Sequence, residues 1–441
     1  MLMRASGPIA ALRAREFGRL DRAATAYLDY TGAALYPASL VRRDARRLQA
    51  GVRGNPHAES GPSSASTEAT ERARALTLEF AGAHPSAYEV VFTANASGAI
   101  RLLAEAFPFQ RGSRLVLSAD NHNSVNGLAW PARRAGARIA LVPLGQELRG
   151  QDPQTALPTA AAPSLFAYPA QSNFSGVRHP IEWVPAAQAR GYRVLLDAAS
   201  FAPTAPLDLR LAPADFVALS FYKIFGYPTG IGALIARHDA LRELRRRYFG
   251  GGTVDFVSMP HRLAQRKPGA AGFEDGTVSF LAMDAVCDGL RWMSRLGMDA
   301  VSSHTAAMTE RLLETLRSCG DAVVLYGPDR LTARGGTVAF NVRRGRRVVP
   351  YEEVEAAARA AGVAIRGGCF CNPGAAATAL GLDAGQTRAC LRDGFSIPRF
   401  RACMRGQPVG ALRASVGLAT NRSDIDRLGI LIRQIAGNTP D

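Results

Sequence analysis

The sequence predicts an α/β chain built on a doubly wound, mostly parallel sheet and followed by a smaller α+β domain. Three observations carry this. Between about residues 90 and 236, short β-branched runs alternate with helix-like segments. Those runs are apolar nearly throughout, as strands covered on both faces must be. Beyond about residue 285 the alternation gives way to long amphipathic segments and a few isolated strands.

The elements follow in order. "EVVFTANASGAIRLLAEAF" reads as a strand, a turn and a helix, and "RLVLSADNHNSV", "RIALVPL", "SLFAYPAQSNFSG", "RVLLDAAS", "DFVALSFYK" and "GIGALIA" each supply a strand. Helical patterns separate several of them, which places functional groups at the strand C-termini. Downstream, "AVCDGLRWMSRLG" and "SHTAAMTERLLETLRSCG" predict helices, and "GGTVAFNVR", "YEEVEAAARAAGVAIRGG" and "DIDRLGILIRQIA" a compact second domain. The expected division is an N-terminal extension over 1–26, a large domain over 27–290 whose first segment is able to pack on the small domain, and a small domain over 291–441 carrying the Cys371 loop. A linker is expected near 285–300.

The length of 441 residues suits two domains, and 47% hydrophobic with 20% charged residues excludes global disorder. The net charge is +16, but the arginines are dispersed and no basic run is interleaved with aromatics. No nucleic-acid partner is expected, and the charge leans toward anionic ligands. All six cysteines lie beyond residue 286, and Cys369 and Cys371 form a CxC pair. A reduced, cytoplasmic chain is expected, without a disulfide framework. "MLMRASGPIAALRAREF" lacks the apolar core of a signal peptide, and no run is long enough to span a bilayer, so no membrane partner is expected. No metal site is read.

Of the 53 Lys+Arg, only Lys223 and Lys267 are lysines. Arginine stays protonated in proteins, whereas a desolvated lysine gives up its proton and becomes a nucleophile toward carbonyls. Lys223 stands in "ALSFYKIFGYPTGIGALIA", where an apolar strand breaks into a Gly/Pro turn. At other strand ends, Asn95, Ala96, Ser97 and Gly98 open a helix, a turn that either caps the helix or cradles a phosphate. His122 follows a strand and is either a plain loop residue or a plate for a flat ring. Asp197 ends a wholly apolar run, so its carboxylate demands a cationic partner. A phosphate at 95–98, a ring against His122, a protonated ring nitrogen on Asp197 and an aldehyde on Lys223 fit one ligand, pyridoxal 5'-phosphate.

The chain resembles class V, fold-type I pyridoxal-phosphate enzymes of the cysteine desulfurase group, and is similar to the desulfurase portion of molybdenum cofactor sulfurases. The segments that carry the resemblance run from "YLDYTGAALYP" through "GNPHAES", "YPAQSNFSG", "DFVALSFYKIFGYPTGIGALI", "YFGGGTV", "FEDGTVSFL" and "RGGCFCNPGA" to "GQPVGALRASVG", roughly residues 27–430. It implies Lys223 as the lysine that takes the cofactor aldehyde, Asp197 as partner of the pyridine nitrogen, and His122 as the stacking residue. Asn173 is implied near the ring hydroxyl, and Ser97, Ser220 and Tyr222 at the phosphate. Thr277 is implied as a phosphate contact supplied by a neighbouring subunit, hence a homodimer. Arg413 is implied to grip the substrate carboxylate, with Arg366 as a second substrate-side arginine.

The resemblance further implies Cys371 as the persulfide cysteine, on an exposed, mobile loop of Gly367, Gly368, Asn372, Pro373 and Gly374, with Cys369 sharing the motif. Arg366 would favour its thiolate. Cys390 and Cys403 lie in an arginine-rich insertion and receive no role. Ser200 stands where better-known desulfurases carry glutamine or histidine. The sequence ends at residue 441 without the further domain of the fused sulfurases, so transfer to molybdenum cofactor is not expected from it.

The function so implied is removal of sulfur from L-cysteine to Cys371 with release of L-alanine and passage to an unknown acceptor. The alternatives are a C–S lyase, selenocysteine lyase, aminotransferase or epimerase, which need Lys223 but not Cys371, and a basic binding protein on a relict fold.

Overall fold

In the computed structural model the described residues are 8–392 and 394–437. Its strands in chain order are β1 (Ala26–Tyr27), β2 (Tyr88–Thr93), β3 (Arg114–Ser118), β4 (Arg138–Val142), β5 (Ser164–Pro169), β6 (Tyr192–Asp197), β7 (Phe216–Ser220) and β8 (Gly232–Arg237). Then come the hairpin β9 (Val254–Ser258) and β10 (Leu263–Arg266), β11 (Val323–Tyr326), β12 (Thr337–Arg344), β13 (Arg347–Val348), β14 (Val363–Ala364), β15 (Arg366–Gly368) and β16 (Ala411–Ser415).

Among the described residues, seven strands form the large sheet in the order β2-β8-β7-β6-β5-β3-β4. All neighbouring pairs are parallel except those of β8, which runs against both β2 and β7. The mostly parallel expectation holds. The reversal of β8 was not visible, because apolar content says nothing of direction. Alternate side chains feed two separate cores: Phe166, Val194 and Val217 face one, Leu165, Leu195 and Phe216 the other. Both faces are therefore covered, which is why the strands read as continuous apolar runs.

The register fixes the working edge. Pro169 of β5 pairs with Asp197 of β6, which pairs with Ala218 of β7. Two antiparallel steps bring β2 back to the direction of β7, so the ends of β2, β3, β5, β6 and β7 open on one side of the sheet.

The second sheet has the order β11-β12-β16-β15, with β13 on β12, and all its pairings are antiparallel. Leu312, Leu316, Phe340, Leu412, Ile425 and Leu428 build its core, joined by Ala26 and Leu28 from the start of the chain. β1 pairs in parallel with β14, and Asp29 bridges to Ser415. Residues 285–300, expected to hold a linker, are instead helical on both sides of Gly297, in Phe280–Leu296 and Met298–Arg317. Gly297 turns one helix into the next with φ of 77°, a conformation that favours glycine.

One further expectation is corrected. Cys390 and Cys403 form a disulfide, so the chain is not wholly reduced. The bridge ties the helices Ala384–Cys390 and Ile397–Cys403 of the insertion, whose own core is only a few residues: Cys390, Phe400 and Met404, with Leu382 and Val409 against them. So small a core needs a covalent tie. Among the described residues, no helix is long and apolar enough to cross a membrane.

Candidate active site

Lys223 does not sit in an open turn. Five residues, Phe221–Phe225, form a single helical turn directly after β7, ended by Gly226 at φ of 80°. The turn aims Lys223 into a cavity of about 140 Å³ at the strand ends, lined also by Ser97, His122, Asn173, Asp197, Ser220 and Tyr222. Asn95, Ala96 and Ser200 line it too. Burial pushes the lysine ammonium below its ordinary range, opposed by Asp197 and reinforced by Arg413 and Arg366. Burial therefore makes the free amine easier to reach than for an exposed lysine.

Each wall has a local cause. Asn95 caps the helix Ala96–Ala106 by accepting from the Gly98 N–H at 2.9 Å, and Ser220 Oγ accepts from the Ala96 N–H at 2.9 Å. The Ser97 N–H finds no acceptor among the described residues. Its hydroxyl meets that of Ser124 at 2.6 Å, a residue that sequence reasoning missed although "HNS" is a helix-start pattern. His122 Nδ1 accepts from the Ser124 N–H at 3.1 Å, which fixes the ring across the cavity. Burial lowers the His122 pKa, Asp197 opposes this, and Lys223 and Arg413 add to it. Gln171, also missed, lines the cavity and donates to the Ser200 carbonyl at 2.9 Å.

Asp197 is 8% exposed, and one carboxylate oxygen accepts from the Ala199 N–H at 3.0 Å. Among the described residues no cation pairs with it within 4.0 Å, Lys223 included. A buried carboxylate without a cation in its own chain fits a ligand that brings one, such as a protonated ring nitrogen. The unspent N–H and hydroxyls at the Ala96–Ala106 N-terminus fit an anionic group. The donor set therefore fits pyridoxal phosphate.

Cys371, Arg413, Arg366 and Thr277 lie outside that lining. Cys371 and both arginines stand close enough to act on the Lys223 charge. Thr277 is exposed and accepts from Asn55 Nδ2 at 3.2 Å. Cys371 and Pro373 are exposed, but the rest of the loop, expected to be exposed and mobile, is half-buried or buried, and the turn is pinned. Phe370 and Cys371 have φ of 55° and 56°, two successive left-handed residues without glycine. The turn is held by the Asn123 N–H on the Cys371 carbonyl at 2.7 Å and by Asn173 Nδ2 on the Phe370 carbonyl at 2.7 Å. Asn372 is fully buried and joins Asp120 and Asn173. Such strain persists only where the surroundings over-determine it. The Cys369 thiol is raised by burial and by Cys371, and points to the Val409 carbonyl.

Arg413 is nearly buried, with a face over the Phe370 ring at 4.8 Å. It donates to the Asn173 carbonyl at 2.9 Å and to Asp29 at 3.0 Å, and its Nε finds no partner among the described residues.

A buried lysine, a carboxylate without a cation at the end of a parallel strand and a helix N-terminus with unspent donors are the features a fold-type I enzyme would need to hold pyridoxal phosphate. The aminotransferase class-V family model matches residues 26–428, and the chain belongs to that family. It is 36% identical to the molybdenum cofactor sulfurase of Bos taurus over 95% of this chain and 51% of that protein. It is 34% identical to that of Arabidopsis thaliana over 94% and 56%. The chain thus spans about half the length of the curated relatives it matches. Among solved structures, a cysteine desulfurase from Thermococcus onnurineus NA1 superposes with a TM-score of 0.81 at 23% identity, covering 99% of each chain. The cysteine desulfurase CsdA from Escherichia coli gives 0.78 at 21% identity, covering 98% of this chain and 100% of that one. The cystine C-S lyase C-DES gives 0.73 at 17%, covering 96% and 100%. These likenesses establish the fold.

Proposed function

We propose that the protein is a pyridoxal-phosphate-dependent cysteine desulfurase that moves sulfur from L-cysteine to Cys371 and releases L-alanine. The observation that carries this is the exposed Cys371, held at a strained turn bolted to the strand-end loops that carry His122 and Asn173. The names of the sulfurase relatives and of the desulfurase neighbours support the same reading.

Lys223 would hold the cofactor aldehyde, Asp197 its ring nitrogen and His122 its face, with Asn173 and Ser200 near its hydroxyl. Asn95, Ala96, Ser97, Ser220 and Tyr222 receive its phosphate. When bound, the cofactor supplies an electron sink for the substrate α-carbon. Arg413 binds the α-carboxylate, and Lys223 and His122, both with pKa lowered by burial, carry protons at the α- and β-carbons. The Cys371 thiolate attacks the substrate sulfur: an S–S bond forms as the C–S bond breaks, and the electron pair passes to the substrate carbon, which is protonated to alanine. Cys371 is left as the persulfide for an acceptor.

A homodimer completes the site in this reading. Trp130 and Tyr248, 72% and 67% exposed, line a cavity of about 1130 Å³ that also reaches Ser97 and Ser124. Phe256, Met259 and Leu263 of the β9–β10 hairpin are likewise exposed. A second copy covering these exposed side chains would bring its own Thr277 toward the phosphate. The test is incubation of the cofactor-loaded protein with L-cysteine. Alanine and sulfide are expected in equal amounts with reductant present. Pyruvate in place of alanine would overturn the desulfurase reading.

A further inference from the structure

Arg366 and Arg413 are directly opposite one another across the antiparallel pair β15–β16, on one face of the sheet. Like charges so placed repel. Asp29, which follows β1 and bridges to β16, lies between them. Its Oδ2 takes the Arg366 fork, Nε at 3.1 Å and Nη2 at 2.6 Å, while Oδ1 takes Arg413 Nη2 at 3.0 Å. Gly32 makes room for the fork: a Cβ there would fall 2.6 Å from Arg366 Nη2 and 2.7 Å from Asp29 Oδ2. The Arg366 side chain is half exposed, whereas those of Asp29 and Arg413 are 13% and 3% exposed.

The three groups together carry one positive charge. Arg413 keeps an unspent, buried Nε–H, but the Arg366 fork is already spent on a carboxylate of its own chain. One substrate carboxylate is therefore matched, and a second would meet Asp29 rather than a free arginine. We propose that Asp29 is a specificity-determining residue that restricts the site to amino acids with one carboxylate and an uncharged side chain, and excludes dicarboxylic and sulfinate-bearing ones. The inference rests on the cofactor reading above.

The probes are L-alanine and L-aspartate, titrated against the cofactor-loaded protein and followed by the visible absorbance of the cofactor, so no turnover is needed. Wild type is expected to bind alanine more tightly. Asp29→Asn should shift the alanine-to-aspartate preference toward aspartate by about tenfold or more, a modest part of what one charge exerts across a few ångströms in a partly buried site. Arg366→Gln removes a half-exposed positive charge and should move the preference further against aspartate, which keeps the test open if Asp29→Asn does not fold. A preference unchanged within about twofold in Asp29→Asn, or shifted toward aspartate in Arg366→Gln, would overturn the role of Asp29 while leaving the cofactor reading intact. No spectral response to either amino acid in wild type would overturn the cofactor reading and this inference with it.

Discussion

Asn372 Nδ2 donates to Asp120 Oδ1 at 2.8 Å, both residues being fully buried, and so joins the turn bearing Cys371 to the loop bearing His122. Asp120 also accepts from Ser172 Oγ at 2.7 Å and meets His179 Nε2 at 2.8 Å. Asn372 Oδ1 in turn accepts from the Ala375 N–H and caps the helix Pro373–Leu380. Together with the Asn123 and Asn173 bonds to the same turn, this amide helps to set the distance between Cys371 and the cavity.

Asn372→Ala should lower alanine formation about 10- to 100-fold, the scale of an ångström's misplacement of a reacting group. Cofactor absorbance and the alanine-binding response should stay close to wild type. A stability loss of about 1–3 kcal/mol is expected from the lost cap and the buried partner left short of a donor. Full activity in a destabilised variant would show the bond to be structural only.

Lys223→Ala should abolish covalent cofactor attachment, and Lys267→Ala should not, as read by borohydride reduction and peptide mapping. A pH effect follows from the lowered Lys223 pKa. In the cofactor-free protein, the unfolded chain holds this proton at pH values where the folded one has lost it, so stability rises with pH across that window. The cost of burying the charged lysine is full below its lowered value and gone above about 10.4. Lys223→Met should therefore be more stable than wild type near neutrality, by a margin that shrinks as pH rises. A margin that grows with pH, in denaturant titrations at several pH values, would contradict this assignment.

The sheet was legible because its central strands are buried on both faces and, β8 apart, its strands end at the same edge. Lys223 stood out because the chain writes almost every other cation as arginine. What was not legible depends on contacts across the fold. Asp29 meets Arg413 384 positions away, and nothing in "YLDYTG" announces two arginine partners. Asn372 read as part of a mobile Asn-Pro-Gly loop, since its role as a clamp exists only once Asp120 is beneath it. The Cys390–Cys403 bridge spans 13 residues that look like a polar insertion, and its apolar anchors Phe400 and Met404 are too few to signal a packed unit.

The insertion should loosen when that bridge is cut. Closing a loop of this length is worth about 3 kcal/mol, more than its few core side chains supply. Cys390→Ser, or mild reduction, is expected to make residues 382–409 preferentially sensitive to protease while the rest of the chain resists. Equal resistance before and after reduction would show that packing alone holds the insertion.

The sulfur should be carried by Cys371 and not Cys369. The two thiols are two residues apart, and spacing alone does not separate them. The fold does. Cys369 is partly buried, its thiol raised by burial and aimed at the Val409 carbonyl, so its thiolate is disfavoured. Cys371 is exposed, sits at a left-handed turn, and lies within electrostatic reach of both Lys223 and Arg413. Thiolate character and access together decide which cysteine is the nucleophile. Cys371→Ser should abolish alanine formation from L-cysteine while leaving the cofactor absorbance and amino-acid binding in place. Cys369→Ser should retain at least a substantial part of the activity. Mass spectrometry after a pulse of L-cysteine should find one extra sulfur, about 32 Da, on the peptide containing Cys371 in the Cys369→Ser protein, because only the thiolate in reach of the substrate sulfur forms the persulfide. If the extra sulfur appears on Cys369 in the Cys371→Ser protein, or if that protein still yields alanine at the wild-type rate, the attack does not run through Cys371 and a lyase reaction at Lys223 becomes the better account.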